Sequence, residues 1–300
     1  MTETAITDGG WPHGWRDRMS WALELELSMR GAGFTWISSD VRHTTHTWIP
    51  SIRDRIHSIF LHVMPTLLVS WAVIRDVYVL YLAHGESFDD LPYVLQGSLT
   101  AALGAFLMSA FSFGHSSFAI TLAPLAPHPL SYFPPLYTAR VWDLVSVRDF
   151  WSFGWHRLFS RLFLVYGVWP GEWVERRFTG KGPDEDADVG KVLGGFVSSA
   201  FVHSFAAHTV MGGWDGAYGE AWFFVGNGLA VVAEEGVKRL VVRQRKLGVS
   251  KLRGGSSDSR ERRYDGVVGR VWWVCVLLYT GRNFARGWVR AGLVREMAGL

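Results

Sequence analysis

His203 is the residue whose setting in this sequence most strongly indicates chemistry. It lies near the middle of segment 192–214, which is 23 residues long and contains no Asp, Glu, Lys or Arg. About 20 apolar residues suffice to cross a bilayer, and an ionisable side chain at that depth is costly and usually functional. Because a neutral imidazole can accept a proton from a hydroxyl group, we predict that His203 is a general base.

His208 follows on the same predicted helix, but the two histidines do not form a metal-binding pair. A separation of five residues turns the side chains about 140° apart, whereas helical zinc sites use histidines four residues apart. His203 instead shares one stripe at helical spacing with small and apolar residues, namely Phe196, Ser199, Ala200, Ala207 and Val210. The small members leave room beside His203 for a substrate chain, or for a neighbouring helix that satisfies the imidazole.

A second cluster of chemically capable side chains occupies segment 146–156, with the sequence SVRDFWSFGWH. It combines a cation, a carboxylate, two tryptophans and a histidine within eleven residues: Arg148, Asp149, Trp151, Trp155 and His156. The carboxylate could accept a hydrogen bond from the histidine or from an indole. An interfacial amphipathic helix would also explain the aromatic residues, although it would not explain the histidine.

The distribution of charge predicts an all-α protein, a polytopic transmembrane bundle of about 5–7 membrane helices with interfacial helices. Segment 91–139 contains 49 consecutive residues without Asp, Glu, Lys or Arg, and segment 56–74 contains 19. The predicted membrane helices cover 56–82, 93–113, the segment around His203, 222–242 and 267–280. We expect a flexible tail at 1–20 and a single membrane domain at 21–295, with a mobile basic loop at 243–266.

Charge and cysteine content narrow the possible partners to a lipid bilayer and small molecules. The net charge of +3 does not favour nucleic acid as a partner. Segment 243–263 holds eight Lys or Arg residues and two acidic residues, and the positive-inside rule places such a segment in the cytosol. A lone cysteine, Cys275, excludes a disulfide framework within the chain and a cysteine metal cluster.

Four motifs in order resemble the wax synthase branch of the membrane-bound O-acyltransferases. They are RGAGFTW at 30–36, PPLY at 134–137, SVRDFWSFGWHRLF at 146–159 and FVSSAFVH at 196–203. The resemblance extends over roughly 21–240 of the chain. In plants this branch is linked to wax esters, and its fungal members are often terpenoid acetyltransferases of secondary-metabolite clusters.

The resemblance implies an enzyme that transfers an acyl group, expected to be acetyl, from acyl-CoA to a lipophilic alcohol such as a terpenoid or fatty alcohol. It implies that His203 is the catalytic histidine and His156 the second polar residue of the active site. The residues expected to bind substrate are Arg148, Asp149, Trp151, Trp155 and Ser199. No metal or bound cofactor is expected, since acyl-CoA is a co-substrate, and the implied location is the endoplasmic reticulum membrane.

The sequence departs from the family pattern at three places. Ala200 stands where the family usually has glycine, and residues 152–154 replace two basic residues that are common between the tryptophans. The chain also begins close to the first motif, without the membrane helices usual before it. These departures leave open an alternative, a truncated or catalytically inactive polytopic relative that acts as a scaffold or transporter.

Overall fold

The described part of the computed structural model is helical and contains no strand, which confirms the predicted all-α fold. The structure describes residues 14–16, 18–19, 49–122, 124, 130, 133, 135–137, 139–156, 158–244 and 257–300. Most of the predicted tail at 1–20, the motif at 30–36 and residues 245–256 of the predicted basic loop lie outside these ranges.

Two long helices open the described bundle, α1 (Ile52–Ala83) and α2 (Tyr93–Leu122). A capping box formed by Ser51 and Asp54 starts α1, satisfying backbone N–H groups that have no partner within the helix. The helix α2 extends nine residues beyond its predicted end at 113. No residue within α2 is a proline, so every residue keeps its backbone N–H donor, and the first proline after the helix is Pro124.

Two helices of the bundle contain a π-helical turn shortly before a proline. In α1 the turn is Ile59–Val63, two residues before Pro65. The helix α4 consists of Ser160–Phe163, the π-helical turn Leu164–Val168 and Trp169–Thr179, and its proline is Pro170. Because proline has no backbone N–H, the carbonyl four residues earlier loses its usual partner, and the wider turn accommodates that loss.

The SVRDFWSFGWH segment forms the short helix α3, Val147–Asp149 followed by the π-helical turn Phe150–Gly154. Ser146 caps it by accepting a hydrogen bond from the backbone N–H of Asp149. The segment is thus helical through Gly154, and Trp155 leaves it in extended conformation.

The chain continues through α5 (Asp188–Met211), α6 (Trp214–Gln244), α7 (Ser257–Arg290) and α8 (Leu293–Ala298). Gly212, with a φ of 71°, ends α5 in the left-handed conformation, and α6 begins two residues later. The helix α7 begins ten residues before its predicted start. Residues 257–266 of the predicted mobile loop therefore belong to a helix.

Among the described helices, α1, α2 and α5 have the length and apolar composition needed to cross a membrane, fewer than the 5–7 predicted. The helices α6 and α7 are long enough, but their uncharged stretches are only 221–233 and 271–281. At about 1.5 Å per residue such stretches cover roughly 15–20 Å, less than the hydrocarbon core of about 30 Å. The charged residues that flank them must lie near the interface or inside the bundle.

Two glycine pairs bring the backbones of α4 and α5 into direct contact. Both helices carry the GxxxG spacing, Gly167 with Gly171 on α4 and Gly190 with Gly194 on α5. A Cβ atom added to Gly171 would lie 2.1 Å from the carbonyl oxygen of Gly190, and one added to Gly194 would lie 2.1 Å from that of Gly167. Such close approach favours helix association in lipid.

The buried apolar residues form two clusters. One joins α1, α2, α7 and α8 through buried residues that include Ile74, Leu99, Leu103, Val289 and Val294. The other packs α3 and the residues before it against α6 and α7, with Leu144, Val147, Phe150, Val231 and Trp273 among its members. The second cluster holds the SVRDFWSFGWH segment against the helix that follows His203.

Replacing Gly194 with leucine should disrupt the contact between α4 and α5. We expect Gly194→Leu to lower the free energy of unfolding by about 1–3 kcal/mol, the usual effect of overpacking. The matched control is Gly104→Ala in α2, where an added Cβ meets nothing within 4 Å. It should leave stability unchanged or raise it by up to about 1 kcal/mol. Circular dichroism during thermal unfolding in detergent measures both, and equal stability of the two variants would contradict the prediction.

Candidate active site

His203 lies on α5 with its imidazole stacked on a phenylalanine of α6. The ring centroids of His203 and Phe224 are 4.4 Å apart, and the ring planes differ by 27°. Gly228 lets the two helices approach one turn further along α6, since a Cβ there would lie 2.9 Å from the Cβ of Phe196. Within the described residues, neither ring nitrogen of His203 has a hydrogen-bond partner. Ring packing holds the imidazole, and its nitrogens remain available to a substrate.

The small residues of the predicted stripe on α5 face the interior of the bundle, whereas Val210 at the end of the stripe is exposed. Ser199, Ala200 and Ala207 are all buried, and His203 itself is half-buried. The predicted substrate residue Ser199 therefore lies one helical turn from the imidazole, on the inner side of α5.

Hydrogen bonds from α3 to the polar end of α6 hold the SVRDFWSFGWH segment in place. The backbone N–H of Val147 donates to Glu234 at 2.9 Å, and Lys238 donates to the other oxygen of that carboxylate at 2.7 Å. The guanidinium of Arg148 donates to Glu235 at 2.8 Å. One carboxylate thus caps the start of α3, where backbone N–H groups have no partner within the helix.

The spacing of charges on α6 predicts that Glu234 pairs with Lys238 and Glu235 with Arg239, each four residues apart. The second of these predictions is wrong. Glu234 does pair with Lys238. Glu235 pairs instead with Arg148, and Arg239 pairs with Asp188 at 2.7 Å. Neighbouring elements that carry opposite charge compete with the local partner, which is worth only about 0.5 kcal/mol on an exposed helix.

A fully buried amide, Asn227 of α6, connects α3 to α7. Its Oδ1 accepts a hydrogen bond from the indole of Trp151 at 3.0 Å. Its Nδ2 donates to the hydroxyl of Thr280 at 3.0 Å and to the carbonyl of Phe223 at 2.7 Å. Buried polar groups need such partners. The Trp151 indole is therefore engaged with Asn227, and not with the carboxylate of Asp149.

His156 is buried in an aromatic environment between α3 and α2. The distances from its ring centroid are 4.6 Å to Phe111, 5.2 Å to Trp155 and 6.1 Å to Phe159. The predicted substrate residue Trp155 thus packs directly on the second histidine. Asp149 is half-buried, and its backbone N–H donates to the hydroxyl of Ser146 at 2.9 Å.

The two predicted catalytic histidines belong to one row of contacting rings. The row runs from His203 to Phe224 at 4.4 Å, then to Trp151 at 5.5 Å, Trp155 at 6.0 Å and His156 at 5.2 Å. The imidazoles are not in contact with each other, and three rings separate them along this row. Arg148 lies farther out, since more than half of its side chain is exposed.

The tyrosine of the PPLY motif attaches the same region to α2. The hydroxyl of Tyr137 donates to the carbonyl of Met108 at 2.8 Å. Burial raises the pKa of the Tyr137 phenol, so it stays protonated and serves as a donor. The neighbouring Leu136 is also buried. The motif therefore positions the wall of α2 from which Phe111 contacts His156.

The apolar cavity between α4 and α5 is separate from these histidines. It has a volume of about 890 Å³ and is lined from α5 by residues that include Gly194 and Phe201. These residues lie about 160–180° around the helix from His203. The cavity therefore opens on the opposite face of α5.

Phe224, Asn227 and Glu234 are site residues that the sequence analysis missed, because α6 was treated as an ordinary apolar span. Two signals were available. Asn227 is the only Asn or Gln in the uncharged stretch 221–233, and the pair at 234–235 ends that stretch abruptly. In a membrane helix, such side chains usually face the bundle interior and a partner.

Comparison with known proteins agrees with the predicted family resemblance. Residues 133–226, which include both histidines, match the Membrane bound O-acyl transferase family. The chain is also similar to the Acetyltransferase eriL of Hericium erinaceus, with 25% identity over 232 residues, or 74% of this chain and 58% of that relative. The chain thus spans less than two thirds of the length of the relative. No solved structure matches it.

These findings confirm the resemblance to the membrane-bound O-acyltransferases and to the fungal acetyltransferases among them. The helical bundle with apolar helices of membrane-spanning length is consistent with an integral membrane protein.

Removing the amide of Asn227 should loosen the SVRDFWSFGWH segment. We expect Asn227→Leu to lower the free energy of unfolding by about 1–3 kcal/mol, because the indole of Trp151 loses its acceptor and the hydroxyl of Thr280 keeps only its bond to the carbonyl of Val276. The control Thr280→Val removes one of the three bonds and should cost about 1 kcal/mol or less. Thermal unfolding in detergent provides the measurement. Equal losses in the two variants would show that Asn227 does not couple the segment to α6.

Proposed function

We propose that this chain is a membrane-bound acyltransferase that moves an acyl group, expected to be acetyl, from acyl-CoA to the hydroxyl of a lipophilic alcohol. One observation carries the proposal. The family-matched segment presents a histidine inside a membrane-length helix, fixed by ring stacking and with neither nitrogen bonded within the described residues. Transfer to a hydroxyl requires a base in such a position.

In the proposed reaction, an imidazole nitrogen of His203 accepts the proton of the acceptor hydroxyl as its oxygen attacks the thioester carbonyl. A tetrahedral intermediate forms, and its oxyanion needs a hydrogen-bond donor. His156 is the proposed donor or positioning group. When the intermediate collapses, the carbon–sulfur bond breaks, and His203 returns the proton to the departing thiolate of coenzyme A. The ester and the free thiol are released.

The apolar surroundings of His203 suit a reaction in which water would otherwise hydrolyse the thioester. Phe224 covers one face of the imidazole, and Trp151 and Trp155 continue the row of apolar rings behind it. An acyl thioester is protected from hydrolysis where water is excluded. A lipophilic acceptor such as a terpenoid or fatty alcohol can approach such a site laterally through the bilayer. The matched relative is named an acetyltransferase, which favours acetyl-CoA as donor. We place the activity in the endoplasmic reticulum membrane.

The non-catalytic alternative, a scaffold or transporter, stays in consideration because of one feature. Three aromatic rings separate His203 from His156 along the row of contacts. As base and oxyanion donor, the two histidines would both have to reach oxygens bound to the same tetrahedral carbon. A measurement of activity separates the two functions.

Substituting His203 should abolish acyl transfer. Membranes containing the chain are supplied with radiolabelled acetyl-CoA or palmitoyl-CoA and candidate fatty and terpenoid alcohols. We expect ester from wild type, and a loss of about 10²–10⁴-fold or more in His203→Ala, the usual contribution of a general base. His84→Ala is the matched control, since His84 is exposed at the end of α1, and it should retain full activity. Full activity of folded His203→Ala would exclude the proposed role.

The role of His156 can be separated from its packing by a substitution that preserves the aromatic ring. His156→Phe keeps a ring against Phe111 and Trp155 but removes both nitrogens. If the imidazole stabilises the oxyanion, kcat should fall by about 10²–10³-fold with little change in KM for the alcohol. A variant that unfolds at the wild-type temperature and keeps its kcat would show that His156 serves packing alone.

A further inference from the structure

Glu220 of α6 is a deeply buried carboxyl group for which the proposed reaction has no use. Only 4% of the residue is exposed. One carboxyl oxygen, Oε1, accepts a hydrogen bond from the indole of Trp288 on α7 at 3.0 Å. The other oxygen, Oε2, is buried and has no hydrogen-bond partner within the described residues. A buried polar atom without a partner is costly, so a ligand that supplies one would be favoured.

The position of Glu220 on α6 relates it directly to His203. Glu220 precedes Phe224 by four residues, so the two side chains lie on the same face of α6, one turn apart. Phe224 carries the stacked imidazole. Glu220 therefore lies next to the face of α6 that meets α5, about one helical turn of 5.4 Å from the level of the histidine, while its Oε1 reaches Trp288 on α7.

A second unpartnered atom lies on the facing helix. Ser204 follows His203 on α5 and is buried, and its hydroxyl oxygen has no hydrogen-bond partner within the described residues. Serine in a helix commonly satisfies its hydroxyl by donating to the carbonyl four residues earlier, and Ser204 does not. Ala207, one turn beyond His203, is also buried and small. Three buried polar atoms thus lack partners within the described residues on the helices that hold the imidazole, namely Oε2 of Glu220, the hydroxyl of Ser204 and Nδ1 of His208.

We infer that Glu220, assisted by Ser204, binds a second hydroxyl group of the acceptor, so the preferred substrates are lipophilic alcohols with at least two hydroxyls. One hydroxyl reaches His203 and is acylated, and the other pairs with Oε2 of Glu220. Trp288 holds the carboxyl group in orientation through Oε1. This inference rests on the proposed acyl transfer and names the class of acceptor that the same site selects.

The arginines near this end of α7 have partners other than Glu220. Arg282 donates to Gln96 at 2.7 Å, and Arg286 pairs with Asp89, although the buried Nε of Arg286 has no hydrogen-bond partner within the described residues. Neither contact involves Glu220, whose carboxyl group has the Trp288 indole as its hydrogen-bond donor within the described residues. The carboxyl group is thus not neutralised by an ion pair with those arginines, and a hydroxyl is a suitable partner for it.

The test measures binding without acyl-CoA, so that its outcome does not depend on catalysis. Detergent-purified protein is titrated with α,ω-alkanediols of increasing length, bracketing the one-turn separation of about 5.4 Å, and with 1-alkanols of equal heavy-atom count. Thermal stabilisation gives the half-saturating concentration for each ligand. Wild type and variant are titrated with the same ligands in the same detergent. Comparing the two proteins therefore cancels differences in how the ligands partition into the detergent micelles.

The preference for a diol is the half-saturating concentration of the alkanol divided by that of the diol. For the best diol, this ratio should be about tenfold larger in wild type than in Glu220→Met. The substitution by methionine removes the carboxyl group and keeps a similar side-chain volume. Glu220→Gln, which can still form a hydrogen bond, should keep most of the preference. Glu296→Met is the control, because Glu296 is exposed on α8, and should leave the ratio unchanged. Equal ratios in wild type and Glu220→Met at every chain length would overturn the inference.

A second measurement applies if Glu220→Met does not fold. Infrared difference spectra of wild type should show that the diol, and not the alkanol, perturbs a carboxyl band that is missing from Glu220→Gln. A diol that perturbs no such band would overturn the inference. If the preference for the diol depends on Glu220 but no ester is ever formed, the proposed binding site is supported and the proposed acyl transfer is contradicted. If ester forms and depends on His203 while the preference is absent, only the inference fails.

Discussion

The bond between the Trp151 indole and the buried amide of Asn227 is the interaction on which the candidate site depends most. Through it α3 is held against α6, and through Thr280 the same amide reaches α7. The amide lies within an apolar interior, where polar groups without a hydrogen bond are costly. Its bonds therefore fix the positions of Trp151 and Thr280 relative to Asn227. Phe224 lies one turn from Asn227 on α6 and contacts both Trp151 and His203. The imidazole is therefore positioned through aromatic contacts that the amide fixes.

The limited apolar length of α6 and α7 explains why so many polar groups surround this site. A stretch of 221–233 cannot cover the hydrocarbon core alone, and Glu220 and Glu234 stand at its two ends. Glu234 is satisfied by the start of α3 and by Lys238, whereas Glu220 is satisfied on one oxygen by Trp288. Each end of the stretch thus carries a carboxyl group turned into the protein. Glu234 has partners on both oxygens, whereas Glu220 keeps one oxygen without a partner within the described residues.

The sequence predicted the helical class and the inward-facing small residues beside His203 on α5, because these follow from local spacing and composition. The partners of the polar side chains were less predictable. Glu235 pairs with Arg148 and not with the residue four positions away, and the indole of Trp151 donates to Asn227 and not to Asp149. Both choices depend on which helices become neighbours, and periodicity within one helix carries no information about that. The paired GxxxG spacings on α4 and α5 were visible in the sequence, yet only the structure shows that they face each other.

The stacking of His203 on Phe224 bears on the proposed chemistry as well as on position. After the imidazole accepts a proton it is a cation in apolar surroundings, and no described carboxylate bonds to it. The face of an aromatic ring attracts a cation within about 6 Å of its centroid, by about 0.5–2 kcal/mol, and the centroid of Phe224 lies 4.4 Å away. A carboxylate in the same place would stabilise the cation far more, but it would also hold the proton. An aromatic partner lowers the energy of the transient imidazolium while allowing the proton to pass to the leaving thiolate, as a base that must act again requires.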